Sequence, residues 1–182
     1  EKFVFISTDK ATNPTSTLGG SKLLAERLTL AAGTYSGKGK TKFAIVRFGN
    51  VLGSRGSVFQ IFQKQIRTKK PLTVTDRNMT RFIMSISDAA SMILNVTKIL
   101  ADGEIYILKM PSVVIENLAI GMLRVYGSRF PDYRNTSSIN ITKPRGERFH
   151  ELLISKEEMP YCHDIGDMYK ISKTPSKKQL SN

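Results

Sequence analysis

Phe3–Lys22, FVFISTDKATNPTSTLGGSK, is the stretch on which the fold turns. Phe3-Val4-Phe5-Ile6 is an unbroken apolar run, which suits a strand buried on both faces. It stops at the polar cluster Ser7-Thr8-Asp9-Lys10. A loop rich in Pro, Ser and Thr follows, and Gly19-Gly20-Ser21-Lys22 opens a helix. Such a strand delivers hydroxyl, carboxyl and ammonium groups to its C-terminal end. Open α/β sheets bind their ligands at that end of the strands.

Working outward, Ser21 to about Tyr35 carries good helix formers, with Leu23, Leu24, Leu28 and Leu30 at helical spacing. Gly33 and Gly37-Lys38-Gly39 end that helix. Lys42–Arg47, KFAIVR, reads as a second buried strand, so the chain opens with a parallel strand–helix–strand unit. Phe48–Phe59, FGNVLGSRGSVF, is a permissive glycine loop with Asn50, Ser54, Arg55 and Ser57 as donors. It reads equally as a ligand loop or as a turn with Ser57 capping the helix Val58–Arg67.

Beyond it, Pro71–Thr75 is a short strand candidate. Asp76–Phe82 is a polar turn whose Arg77 and Arg81 suit either a diphosphate or a surface. A helix over Asp88–Leu100 with Ser87 as cap, a strand over Gly103–Lys109 and a helix over Val114–Tyr126 follow. Then come a loop over Pro131–Ser138, a short strand over Ile139–Lys143 and a short helix over Glu147–Leu153. A polar, partly disordered tail is expected over Lys170–Asn182.

Length suffices for one domain with a real core, and composition is ordinary for a soluble globular protein: 182 residues, 40% hydrophobic and 24% charged. The single cysteine, Cys162, forms no internal disulfide, and a reducing, cytoplasmic compartment is expected. No run of 18 apolar residues and no signal peptide stand out. The chain starts with Glu1 almost inside a strand, so a C-terminal portion or processed product is expected. The net charge of +13 suits an anionic ligand or bilayer. No basic block reaches five residues and few aromatics interleave, so nucleic acid is not the expected partner. No CxxC or HExxH supports a metal, and His150 and His163 stand far apart in sequence. No GxSxG elbow supports a serine triad. No GxGxxG or Walker loop occurs, so a dinucleotide fingerprint is expected upstream of Glu1.

Five blocks, STDKATNPTSTLGGSK, VRFGNVLGSRGSVF, DRNMTRF, GEIYILKMPS and GERFHELLIS, run in consistent order. In them the sequence resembles the extended short-chain dehydrogenase/reductases, and most of all the UDP-N-acetylglucosamine 4,6-dehydratases. These are polysaccharide biosynthesis proteins, either soluble and inverting or larger and membrane-anchored. The resemblance implies the C-terminal part of a Rossmann-like doubly wound parallel sheet within residues 1–50, with its catalytic strand, loop and helix. A mixed substrate-binding portion together with the remaining sheet elements is then expected over 51–170 and a polar basic tail over 171–182.

It also implies a nucleotide-sugar 4,6-dehydratase using NADP or NAD. The C4 position is oxidised, C5 loses a proton as the C6 hydroxyl departs, and hydride returns to C6. Asp9 takes the role of acid and Lys10 of base, with Thr8 as a supporting donor. On its own the pair is compatible with a capping or turn pair. Ser7, Lys22 and the run Val51, Leu52, Gly53, Ser54 and Arg55 would hold the cofactor. Asn50, Val58, Thr75, Arg145 and Glu147 would hold the substrate. Lys22 matches the lysine of a Tyr-x-x-x-Lys pair, but Leu18 stands where the tyrosine belongs. The membrane-anchored relatives also lack that tyrosine, so Leu18 points to their subclass and leaves the first proton acceptor open among Thr8, Asp9 and water. In the C-terminal block, Lys143-Pro144-Arg145-Gly146-Glu147 exchanges the family's arginine and proline.

A UDP-sugar substrate, no metal, a homo-oligomer and a membrane link through an upstream region are the accompanying expectations, with the protein then at the cytoplasmic face. The alternatives are a nucleotide-sugar 4-epimerase of the same fold, or a non-catalytic nucleotide-sugar-binding fragment.

Overall fold

The computed structural model describes residues 1–35, 41–129, 139–141 and 148–176. In chain order the elements are β1 (Lys2–Thr8), α1 (Thr17–Tyr35), β2 (Lys42–Phe48), β3 (Asn50–Val51), α2 (Val58–Arg67), β4 (Leu72–Val74) and β5 (Thr80–Met84). There follow α3 (Ile86–Ile99), β6 (Glu104–Leu108), β7 (Ser112–Val114), α4 (Ile115–Arg129), β8 (Ile139–Ile141), β9 (Cys162–Asp164) and β10 (Met168–Ile171). Two compact units emerge. One draws on Glu1–Gly49, Ser87–Met110 and Leu152–Asn182; the other on Asn50–Ile86 and Pro111–Glu151.

The first unit is built on a five-stranded sheet, ordered β1-β2-β6-β10-β9. β1, β2 and β6 are parallel, with Phe5 opposite Ile45 and Ile45 opposite Ile105. The apolar runs of β2 and β6 account for this, since parallel strands are covered on both faces. β10 and β9 extend the sheet antiparallel. They were missed in the sequence, where Lys170 and Ile171 read as tail. Each strand is only three or four residues long, too short for a period-2 pattern to stand out. Cys162 and Ile171 join Ile45, Ile105 and Ile107 in the core. Among the described residues β1 pairs only with β2, and Phe3 and Ile6 on it are exposed, so the two-sided burial expected from its apolar run is not met.

α1 begins at Thr17 rather than Ser21 because the Ser16 hydroxyl accepts the Gly19 amide at 3.2 Å, capping the first turn. Its leucine pattern also misleads. Leu24 and Leu28 are exposed, and the buried residues are Gly19, Glu26, Thr29 and Gly33. Gly33 leaves room for the Asp102 carboxylate, from which a Cβ would lie only 2.6 Å away. Asp102 Oδ1 in turn accepts the Phe43 amide at 2.9 Å.

The second unit has a core of Phe62, Ile66, Leu72, Val74, Met79, Ile115, Ala119 and Met122. β3 lies parallel to β5, β5 antiparallel to β7, and β4 parallel to β8. Here β5 corrects the expected polar turn over Asp76–Phe82. Arg81 lies within that strand, buried, and donates to the Thr80 carbonyl at 2.8 Å and the Phe149 carbonyl at 3.2 Å. Arg77 is exposed, 3.6 Å from Glu116. α3 starts at Ile86, so Ser87 lies inside it rather than capping it. Residues 148–153 form no helix. The expected loop over Pro131–Ser138, Gly37-Lys38-Gly39, and residues 142–147 and 177–182 lie outside the described residues.

Candidate active site

β1 ends where its apolar residues give way to Ser7 and Thr8, and a 3-10 turn over Asp9–Ala11 follows at once. Thr8 is its N-cap: its hydroxyl oxygen accepts the Lys10 amide at 3.4 Å. The same hydroxyl donates to Asp9 Oδ1 at 2.8 Å. Lys10 Nζ reaches that Oδ1 as well, at 3.0 Å. The Asp9 side chain is fully buried, while that of Lys10 is 28% exposed. Among the described residues the buried Asp9 Oδ2 has no hydrogen-bond partner, and neither has the buried Ser7 hydroxyl. Buried polar atoms are nearly always paired, so two neighbouring orphans at one strand end mark an incomplete polar site.

α1 brings Lys22 to the same strand. Its Nζ donates to the Ile6 carbonyl at 3.0 Å and lies 4.8 Å from the Phe5 ring centroid. An ammonium has three donors, and one is used here. Leu18, one turn earlier on α1, is 57% exposed and offers no polar atom. Gly19 is buried against the turn, where a Cβ would stand 2.5 Å from the Lys10 carbonyl oxygen.

Behind the turn lies a cluster that sequence reading missed. Arg47, on β2, is 1% exposed. It donates to Glu26 on α1 (Nε at 3.1 Å, Nη2 at 2.7 Å), to both oxygens of Glu158 at 2.9 Å, and to the Leu153 carbonyl at 2.9 Å. Burial works against the Arg47 charge, yet Glu158 and Glu26 outweigh it and raise its pKa. Burial likewise pushes the Glu158 carboxyl up, and Arg47 outweighs it, leaving that group below the ordinary carboxylate range. Two signals were present in the sequence. An arginine inside the apolar run KFAIVR needs buried acids. Ser155-x-x-Glu158 is a capping-box spacing, and both of its bonds form: Ser155 N to Glu158 Oε2 at 2.9 Å and Glu158 N to Ser155 Oγ at 3.2 Å.

In the second unit the glycine loop is a compact turn. Leu52 N donates to the Met84 carbonyl at 2.9 Å and Ser54 N to the Val51 carbonyl at 3.2 Å. Gln60 closes it, donating to the Gly53 carbonyl at 3.0 Å and accepting the Gly56 amide at 3.1 Å. Gly53 and Gly56 have φ of 78° and 74°, a left-handed backbone that favours glycine. Ser54 and Arg55 are exposed, whereas Val51, Leu52 and Val58 are half-buried. Ser57 precedes α2, yet its hydroxyl makes no capping bond; it and Asn50 Oδ1 are buried with no partner among the described residues. Thr75, half-buried, follows β4. Arg145 and Glu147 lie outside the described residues. Arg148, which was not singled out from sequence, has a buried Nε with no partner among the described residues. Among the described residues no His, Cys, Asp or Glu group could hold a metal ion, and no helix is long and apolar enough to cross a membrane.

A family model for polysaccharide biosynthesis proteins matches residues 1–173. The chain belongs to that family. An uncharacterized membrane protein of Methanocaldococcus jannaschii is 45% identical over 170 residues, which cover 93% of this chain and 51% of that protein. A UDP-glucose 4-epimerase of Rickettsia bellii is 37% identical over 171 residues, 93% of this chain and 48% of that one. Among solved structures, Pen from Bacillus thuringiensis superposes with a TM-score of 0.90 at 35% identity, covering 99% of this chain and 55% of that one. The dTDP-glucose 4,6-dehydratase DesIV from Streptomyces venezuelae, with NAD and TYD bound, superposes with a TM-score of 0.72 at 19% identity, covering 84% and 51%. The family chain therefore has the Rossmann-like α/β fold of the extended short-chain dehydrogenase/reductases, and it spans about half the length of the relatives it matches.

Proposed function

We propose that this chain carries the acid–base half of a nucleotide-sugar 4,6-dehydratase acting on UDP-N-acetylglucosamine or a related UDP-sugar. The observation behind this reading is the Asp9–Lys10 pair on a buried strand end, with Asp9 Oδ2 unpartnered. Water elimination across C5 and C6 needs one group to take a proton and another to give one. Lys10 takes the C5 proton. Asp9 gives one from Oδ2 to the departing C6 hydroxyl. The ammonium so formed on Lys10, 3.0 Å from Asp9 Oδ1, returns a proton to C5 as C6 is reduced, and the proton released from the C4 hydroxyl restores the Asp9 acid. Thr8, donating to the same Oδ1, fixes the rotation of the carboxyl group.

The residues present fit a nicotinamide cofactor, NAD or NADP. Lys22 keeps unused donors beside β1, the Ser7 hydroxyl is unpartnered, and Val51–Arg55 form a turn whose left-handed glycine lets backbone approach a ligand. When bound, that cofactor supplies reversible hydride exchange with the sugar. Asn50, Val58, Thr75, Arg145 and Glu147 are the proposed sugar-nucleotide contacts. Residues 1–50 are assigned to the dinucleotide-binding part and 51–170 to the substrate-binding portion together with the remaining sheet elements, in a homo-oligomer at the cytoplasmic face of a membrane.

The test is incubation of the full-length protein with UDP-N-acetylglucosamine and cofactor, followed by mass spectrometry. A product lighter by one water supports the reading, and an unchanged mass overturns it. The 37% identity to a UDP-glucose 4-epimerase favours a second reading, C4 epimerisation. That reaction needs no elimination at C6, and it gives a product of unchanged mass with inverted C4.

A further inference from the structure

The turn that bears Asp9 and Lys10 is gripped from two sides. On one side α1 presses on it at Gly19. On the other, Thr12 closes the turn with its amide, bonded to the Asp9 carbonyl at 3.1 Å, and donates its hydroxyl to the Leu153 carbonyl at 3.3 Å. That same carbonyl accepts Arg47 Nη1 at 2.9 Å. A continuous run of hydrogen bonds thus joins the turn to the buried arginine.

Arg47 is unusually well suited to hold such a position. A guanidinium has five N–H donors in a rigid plane. Here Nε, Nη1 and Nη2 make five bonds, to two carboxylates and one carbonyl. Every donor is used, and the acceptors come from α1 and from the segment around Leu153 and Glu158. The guanidinium cannot rotate without breaking several bonds at once. Leu153 is fixed with it, and its carbonyl is a fixed anchor for Thr12.

We propose that Arg47 is a positioning residue for the reaction: through the Leu153 carbonyl it shares with Thr12, the Glu26–Arg47–Glu158 cluster sets the place of the turn carrying Asp9 and Lys10. This rests on the reading of those two residues as acid and base. A misplacement of about 1 Å in such a group can lower a rate by two orders of magnitude.

Thr12→Val tests the link, because it deletes one hydroxyl, keeps the shape and leaves the cluster intact. The conservative Thr12→Ser restores the hydroxyl. Two readouts are taken in the full-length protein: amide hydrogen exchange at Lys10 and Thr12, and steady-state turnover of UDP-N-acetylglucosamine. In Thr12→Val we expect those amides to exchange about tenfold faster, with β2 amides unchanged. We also expect kcat to fall about tenfold while KM stays within about twofold, and Thr12→Ser to recover both. Unchanged exchange in Thr12→Val, or a loss that Thr12→Ser does not recover, overturns the proposal. Exchange needs no substrate. A wild-type protein that fails to dehydrate the sugar therefore sinks the functional reading, while the exchange data still decide whether the clamp exists.

Discussion

Gly19 lies directly against the carbonyl of Lys10. A Cβ at that position would stand 2.5 Å from the carbonyl oxygen and 3.0 Å from the Pro14 side chain. The atom it meets first is backbone, which cannot swing aside as a side-chain end can. The first turn of α1 can therefore seat the Asp9–Lys10 turn only because residue 19 has no side chain.

Gly19→Ala should accordingly displace that turn, lowering both melting temperature and turnover. Its neighbour is the control. Gly20 has nothing within 4 Å of a built Cβ, so Gly20→Ala should stabilise the helix by about 0.5–1 kcal/mol. Thermal melts of the two variants decide it, and equal effects would refute the contact argument.

Lys10→Ala should lower dehydration by about two to four orders of magnitude while UDP-sugar affinity, read by calorimetry, stays close to wild type. Ordinary turnover by that variant would remove Lys10 as the base.

The Arg47 cluster predicts an acid-sensitive fold. Glu158 titrates below the ordinary glutamate value of about 4.3, because Arg47 outweighs the effect of burial. A depressed carboxylate contributes stability that is fully present above its unfolded pKa. That contribution is lost as pH falls through the lower folded value. Melting temperature should therefore fall below about pH 4, and Glu158→Gln should flatten that fall. Arg47→Met leaves two carboxylates without their cation, and it should cost about 3–5 kcal/mol in denaturant unfolding.

Cys162 is buried in the first unit's core, and burial pushes its thiol up to about 11. At pH 8 only about one thiol in a thousand is then thiolate, the reactive form. Native protein should resist alkylation, and labelling should begin as the first unit opens in denaturant. Rapid labelling of native protein would contradict the burial of this strand.

The legible parts of the sequence were those with long, uniform patterns. The apolar runs of β1, β2 and β6 carried their own structure, so the strand–helix–strand opening was readable. What failed was local pattern overruled by distant partners. Leu24 and Leu28 looked like a core face, but the buried side of α1 is chosen by Arg47, which meets Glu26, and by Asp102, which needs the space at Gly33. Arg81 looked like a turn residue because its acceptor, the Phe149 carbonyl, is 68 positions away. β9 and β10 are strands because β6 offers an edge to pair with, which no short window reveals. At the candidate site, the residue types of Ser7–Lys10 could be read directly. The Thr12–Leu153 and Arg47–Leu153 bonds could not, because they join positions more than 100 residues apart.

The first unit is assembled from three separate stretches of chain, and the last of them supplies β9, β10, Leu153 and Glu158. This bears on the order of events during synthesis. When β1, α1 and β2 have left the ribosome, Arg47 and Glu26 are both available, but Glu158, the Leu153 carbonyl and β10 are not. Domains settle as units once their sequence is available, so this one closes only after its final stretch has emerged. The turn is made before the segment that locks it, and a nascent chain stopped before Leu153 would hold Asp9 and Lys10 without the Thr12–Leu153 bond.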